Sequence, residues 1–424
     1  MRTSLTGEGG QVELNYDPPA QEFRRELREL IAASVPENWN GSGQLDPAAR
    51  AEFLSGWRAT LHTHRLLAPG WPTEYGGGGR RLIEQSIVAE ELIRAGLPQA
   101  PLPNDACGFT LLGPTVLHCG SAEQKLRFLP PTIDGTIRWA QGYSEPEAGS
   151  DLFNVRTRAA LDGDEWIING QKVWQTAGLS ANWIFILART DPAASRSRGL
   201  SLLLVPIDQP GIEVRGIRNM AGETEFAEFF FTDAVAEARN VVGGIGEGAK
   251  VALTLLGFER AAGGVAAALA AKIELRRLVD LVHATRGGRV GDDLRQRLAA
   301  CRVSVQVLHC LALRTLTVAA NGRPPGPESS VIKLLSSEHR QRVTELALDI
   351  LGAQALTPSG AEAVNPLGPQ PLGMDPLSSA AWVTDFLHAR PATVYGGSSE
   401  IQRNTIGEQI LNLPREPRLS ESAT

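Results

Sequence analysis

The sequence predicts a multidomain α+β protein: an N-terminal α-helical domain over residues 1–134, a middle β-barrel or β-sandwich domain over 135–240, and a C-terminal helical bundle over 241–424. Three observations carry this reading. Apolar residues recur at helical spacing through the first 130 or so residues. Between Thr136 and Thr232 they give way to short apolar or alternating runs separated by Gly, Pro, Asp and Asn. From Gly246 the helical period returns in long segments with short connections, the pattern of a bundle.

Residues 19–34 place Phe23, Leu27, Leu30 and Ile31 on one helical face with charge opposite, and residues 47–65 and 82–96 read the same way. The prolines and glycine of residues 67–72 mark a loop. Residues 104–129 read as a helical pair split near Gly120-Ser121, where Ser121 suits an N-cap with Glu123 and Gln124 behind it. In the middle region, residues 183–188, 200–206 and 228–231 read as strands. Many short strands without intervening helices exclude a parallel α/β sheet. Asn169-Gly170 predicts a two-residue hairpin turn, with Trp174 and Thr176 on one face of the returning strand. Beyond it, residues 247–284, 290–320 and 327–356 read as long helices, with shorter ones near 377–389 and 399–412. Residues 286–289 and 321–326 read as the turns between the long ones.

Composition narrows the function classes. Hydrophobic content of 42% with 21% charged residues is that of a globular chain, and a net charge of −6 does not suggest nucleic acid or an anionic membrane as partner. No run reaches the ~18 uninterrupted apolar residues of a bilayer span. The first twenty residues lack the apolar core of a secretory leader, so a cytoplasmic location is expected. Cys107, Cys119, Cys301 and Cys310 form no C-x-x-C pair. Two of them follow a histidine directly (His118, His309), but adjacent residues on a helix diverge by about 100° and rarely ligate together. No metal site and no disulfide is expected.

Two clusters carry the chemistry. Residues 143–151 (YSEPEAGSD) combine two hydroxyls, a proline that forces an extended backbone, and a glycine that permits positive φ, which reads as a polar binding loop leaving a strand. Residues 166–176 (WIINGQKVWQT) add an indole and a hydroxyl at strand spacing, a surface suited to a large planar heterocycle. These clusters, together with residues 68–79 (APGWPTEYGGGG), 112–130 (LGPTVLHCGSAEQKLRFLP) and 395–403 (YGGSSEIQR), resemble segments of the acyl-CoA dehydrogenase family in the family's order.

The resemblance implies an acyl-CoA dehydrogenase-like fold and bound FAD. Tyr143 and Ser144 would meet the pyrimidine edge of the ring and Ser150 the pyrophosphate, with Gln141 and Gly149 in the same segment. Trp174 would pack on the isoalloxazine and Thr176 bond near N5. The plainer alternative makes Trp166 and Trp174 core residues of the β domain.

The implied reaction removes an α proton from an acyl-CoA and transfers the β hydride to flavin N5. The thioester oxygen then needs hydrogen-bond donors, and a carboxylate must take the proton. Many family members carry that glutamate directly after the tyrosine of the C-terminal motif, where this chain has Gly396, whose N–H can still donate to the thioester oxygen. Other branches use a Glu-Arg pair on a long helix, which here is Glu259-Arg260. Glu259 is the expected base, with Arg260 shaping its surroundings; the alternative is a solvated helical ion pair. Ser398 and Ser399 suit the cap of a helix whose N-terminus would bind an anion, making Ser398, Glu400 and Gln402 secondary candidates.

Two family features are altered: R-x-x-F-G is missing near residues 286–291, and the Q-x-x-G-G segment reads Asp349-Ile350-Leu351-Gly352-Ala353. Homo-oligomers and hetero-oligomers with a related subunit are both open, as are a non-catalytic subunit and an oxygen-using oxidase. An acyl-CoA substrate and an electron-transfer flavoprotein or similar acceptor are the implied partners. The Gly-Gly pair and GYSEPEAGSDL resemble members acting on bulky, branched or sterol-derived acyl chains.

Overall fold

The computed structural model describes residues 17–194, 197–262, 264–321, 326–360 and 372–415, and for residues 259–262 the backbone alone. The N-terminal helices are α1 (Pro18–Ser34), α2 (Pro47–Thr63), α3 (Leu82–Arg94), α4 (Gly113–Cys119), preceded by a π-helical turn at Cys107–Leu112, and α5 (Ala122–Asp134). Each start is chemically marked. Asp17 and Asp46 cap α1 and α2, each followed by proline, whose missing N–H costs nothing in the first turn. Ser121 caps α5 in a reciprocal box with Gln124. Helices α1 and α3 are laced together where Arg24 and Arg28 meet the buried carboxylates of Glu90 and Glu91.

The middle region is one eight-stranded mixed sheet: β1 (Trp139–Gly142), β2 (Arg158–Asp162), β3 (Glu165–Thr176), β4 (Trp183–Arg189), β5 (Leu200–Pro206), β6 (Ile212–Ile217), β7 (Phe226–Glu237) and β8 (Val241–Val242). The order is β6-β7-β3-β2-β4-β5-β8, with β1 parallel to β4. A single residue pair, Arg158 with Arg189, joins β2 to β4. The sheet folds over at this seam, so that Ile184, Ile186 and Leu203 of one half share a core with Trp166, Ile168, Phe229 and Phe231 of the other.

The Asn169-Gly170 expectation is corrected here. The hairpin turn between β2 and β3 lies at Gly163-Asp164, with Gly163 at φ +59, and β3 runs straight through Asn169-Gly170. Asn169 instead faces a bulge on β7, where Thr232 and Asp233 stand opposite one residue. Its side chain exchanges two hydrogen bonds with Asp233, which sits at φ +52. The turn-forming chemistry of Asn-Gly is spent on matching that bulge.

The C-terminal helices are α6 (Gly248–Ala262), α7 (Gly264–Arg286), α8 (Asp292–Ala320), α9 (Ser329–Leu351), α10 (Ser379–Ala389) and α11 (Ser399–Thr405). The segment expected as one helix over 247–284 is thus described as two. Gly287 and Gly288 both adopt positive φ in the turn expected there, and Arg286 reaches the end of α9, donating to the carbonyls of Asp349 and Ile350. Helix α8 is long and apolar enough to cross a membrane by length and composition, and only 17% of its apolar window is buried within this chain. All four cysteines are free thiols.

Candidate active site

The polar loop after β1 closes through two reciprocal backbone bonds between Glu145 and Ala148, with Pro146 and Glu147 at the tip. Glu145 is turned inward and buried. Its carboxylate accepts from the N–H groups of Arg156 (2.6 Å) and Thr157 (3.0 Å) and from the Lys172 ammonium (2.8 Å). Lys172, fully buried on β3, also donates to the carbonyls of Tyr143 (3.1 Å) and Leu187 (2.7 Å). One ammonium therefore ties the loop to two strands. Burial pushes Lys172 down to about 8, opposed by Glu145. Burial pushes Glu145 up, but the Lys172 charge and the N–H bonds outweigh it and hold the carboxyl below its usual range. Three donors converge on the Glu145 carboxylate and keep it ionised.

The loop residues divide by face. The Tyr143 ring is buried edge-on against Phe185, which gives it a packing role, while Ser144 is half-buried and Ser150 exposed. Gln141 is half-buried on β1. Gly149 is exposed and does not use positive φ; a Cβ there would meet nothing within 4 Å.

Strand parity alone would point Trp174 inward beside Trp166, Ile168 and Lys172. A bulge re-aims it: Val173 and Trp174 are inserted between the pairs Lys172–Phe229 and Gln175–Ala227, and Trp174 takes φ +71. That is a rare conformation for a bulky residue and the kind that gathers at functional sites. The result is an indole 59% exposed, braced edge-on by Phe226, with Thr176 exposed on the same side and Val173 and Gln175 buried. The Val173 N–H donates to Ser144 O, so the strand that carries the indole is bonded directly to the start of the loop.

At the C-terminal motif, Gly396 and Gly397 both lie at positive φ (+64 and +88). Gln402 donates to both of their carbonyls and Lys333 donates to Gly397 O. Among the described residues the Gly396 N–H has no hydrogen-bond partner. Ser398 caps α11 through Ile401 N. At the helix end expected to receive an anion, the exposed Glu400 carboxyl is held below its usual range by its own N–H and by the Ser398 hydroxyl. Glu259 and Arg260 lie on α6, and their side chains are outside the described residues. Position 259 follows Leu255 by one helical turn, and Leu255 is buried in the same core as Tyr143 and Ala148.

Residues 17–136, 140–234 and 246–411 match, in order, the N-terminal, middle and C-terminal domains of acyl-CoA dehydrogenases. The chain belongs to the acyl-CoA dehydrogenase family. It is 39% identical to acyl-CoA dehydrogenase IpdE1 of Mycolicibacterium smegmatis over 93% of this chain and 98% of that protein. It is 38% identical to IpdE1 of Mycobacterium tuberculosis over 94% and 99%. Among solved structures it is similar to the ChsE4-ChsE5 complex from Mycobacterium tuberculosis (30% identity, TM-score 0.74, 95% of this chain and 100% of that one). It is likewise similar to the Tcur3481-Tcur3483 steroid ACAD (28% identity, TM-score 0.74, 95% and 100%). The protein is an acyl-CoA dehydrogenase, an oxidoreductase of a family that uses FAD.

The residues present fit that cofactor. An exposed indole held at a costly backbone angle, with the exposed Thr176 two residues on and the strand bonded to the Ser144 loop, suits a planar ring with polar edges. Sequence reasoning gave no role to Lys172, although its parity with Trp166 and Ile168 marks it as inward-facing. It also missed Asn104, described below, and a cluster of Glu223, Glu225 and His388 whose ligand-type atoms lie within 4.8 Å of one another. Burial raises the pKa of Glu225 and lowers that of His388, and the Arg340 charge lowers both. That cluster joins residues far apart in sequence, and no local spacing announces it.

Proposed function

We propose that this chain carries out FAD-dependent α,β-dehydrogenation of a bulky, ring-bearing acyl-CoA thioester, with Glu259 as the α-proton base, in assembly with a second chain of the same fold. FAD, when bound, supplies the two-electron acceptor. The chain's own residues do the rest: Trp174 and Thr176 seat the ring, the Gly396 N–H donates to the thioester oxygen, and Glu259 takes the proton.

The observation that carries the assignment of the base is the backbone at Gly396. Glycine has no side chain to accept a proton, and the φ of +64 at position 396 is one that suits glycine, so a carboxylate base has to stand elsewhere in the chain. Position 259, one turn beyond the buried Leu255 on a helix packed against the β domain, supports Glu259. The steroid named for Tcur3481-Tcur3483 supports the bulky acyl group. The two-chain name ChsE4-ChsE5, with the sparsely buried α8, supports the assembly.

The test is anaerobic bleaching of flavin absorbance by a panel of acyl-CoAs, linear and steroid-derived, with the protein alone and with a co-expressed homologous subunit. Fast bleaching by the ring-bearing substrates and slow reoxidation in air is the expected result. Bleaching by none, or reoxidation by oxygen at the turnover rate, contradicts the proposal.

A further inference from the structure

We propose that Asn104, in the N-terminal region, is a positioning residue that sets where Thr176 stands against the flavin; this rests on the reading of Trp174 and Thr176 as the ring's wall. Asn104 is 4% exposed and uses its whole amide. Its Nδ2 donates to Trp139 O and to Ala177 O, both at 3.1 Å, and its Oδ1 accepts from Ser180 Oγ at 2.7 Å. Trp139 opens β1, which leads into the Tyr143-Ser144 loop, and Ala177 follows Thr176 directly. Lys172 and the Val173–Ser144 bond join the two halves of the cradle at the loop, and Asn104 adds a tie at the other end, beside Thr176.

Ala177 needs such a clamp. It lies at φ +53, disfavoured for any residue with a Cβ, and is held from both sides: its N–H donates to Glu225 O (3.0 Å), and its carbonyl accepts from Asn104, whose amide is braced in turn by the one proton of the Ser180 hydroxyl. Releasing the carbonyl lets Ala177 relax toward negative φ, and Thr176, one residue earlier, turns with it. The Asn104 amide thus links the N-terminal region to β1 and to the end of β3.

The experiment compares Asn104→Ala, Ser180→Ala and Thr176→Ala by FAD dissociation constant, visible circular dichroism of the bound flavin, and hydrogen exchange of the peptide spanning Ala177 in the FAD-free protein. Ser180 is exposed, so its variant keeps the test open if Asn104→Ala fails to fold. The expected result is an FAD dissociation constant raised about tenfold and altered dichroism in Asn104→Ala, a smaller change of the same kind in Ser180→Ala, and faster exchange at Ala177 in both. A lowered melting temperature with dichroism, affinity and Ala177 exchange unchanged makes Asn104 ordinary packing and overturns the inference, while a Thr176→Ala effect leaves the wall intact. If Thr176→Ala also leaves the flavin unchanged, the wall reading falls and the inference with it.

Discussion

The Lys172 ammonium lies 2.8 Å from the Glu145 carboxylate with both side chains buried, and this pair fastens the 143–151 loop to β3 and β4. Breaking one partner of a buried pair typically costs about 3–5 kcal/mol, because the other charge is left uncompensated. Lys172→Met is therefore expected to lower unfolding free energy by that order and to weaken FAD binding; Glu145→Gln with Lys172→Met recovers part of the stability. Denaturant titration of the three proteins checks this. Equal stability of Lys172→Met and wild type would exclude the fastening role.

The same pair sets an acid limit. The folded pKa of Glu145 is below its ordinary value of 4.5, so its contribution is complete above pH 4.5 and is lost as pH falls through the folded value. Wild type is expected to lose stability more steeply below pH 4.5 than Glu145→Gln. Melting temperatures between pH 3 and 6 give the comparison, and parallel profiles would refute it.

A second buried carboxyl has the opposite sign. Burial pushes Glu274 up to about 7, with Asp385 adding to the shift and Arg340 and Arg277 opposing it. Its ionisation weakens the fold as pH rises from 4.5 to 7, by on the order of 3 kcal/mol. The advantage of Glu274→Gln over wild type is expected to grow across that window and then level off, as read by thermal unfolding. A constant difference from pH 4.5 to 8 would show that Glu274 does not titrate there.

Helix α8 tests the assembly. Val303 and Val307 stand one turn apart and are 62% and 40% exposed on a helix with little of its apolar window covered. Replacing both by glutamate is expected to shift the oligomer to monomer in light-scattering chromatography while leaving the helical circular dichroism unchanged. An unaltered mass would remove α8 from the interface.

Much of this architecture was legible in the sequence because it rests on local chemistry. Phe23, Leu27 and Ile31 at helical spacing, the Ser121 cap and the glycine turn at 287–288 reappear as read. What escaped is non-local. Asn169-Gly170 carries a turn signal that a bulge on β7 overrides, and Trp174 faces outward only because another bulge reverses its parity. The Lys172–Glu145 pair and the Asn104 clamp join residues 27 and 73 positions apart, which no spacing rule connects.

The central claim is that Glu259 takes the α proton in a chain whose position 396 cannot. Its most direct test is stopped-flow reduction of the bound flavin by a ring-bearing acyl-CoA in Glu259→Gln. The account predicts that FAD stays bound with an unchanged spectrum while the reduction rate falls by about 10²–10⁴-fold. A rate within tenfold of wild type would contradict it.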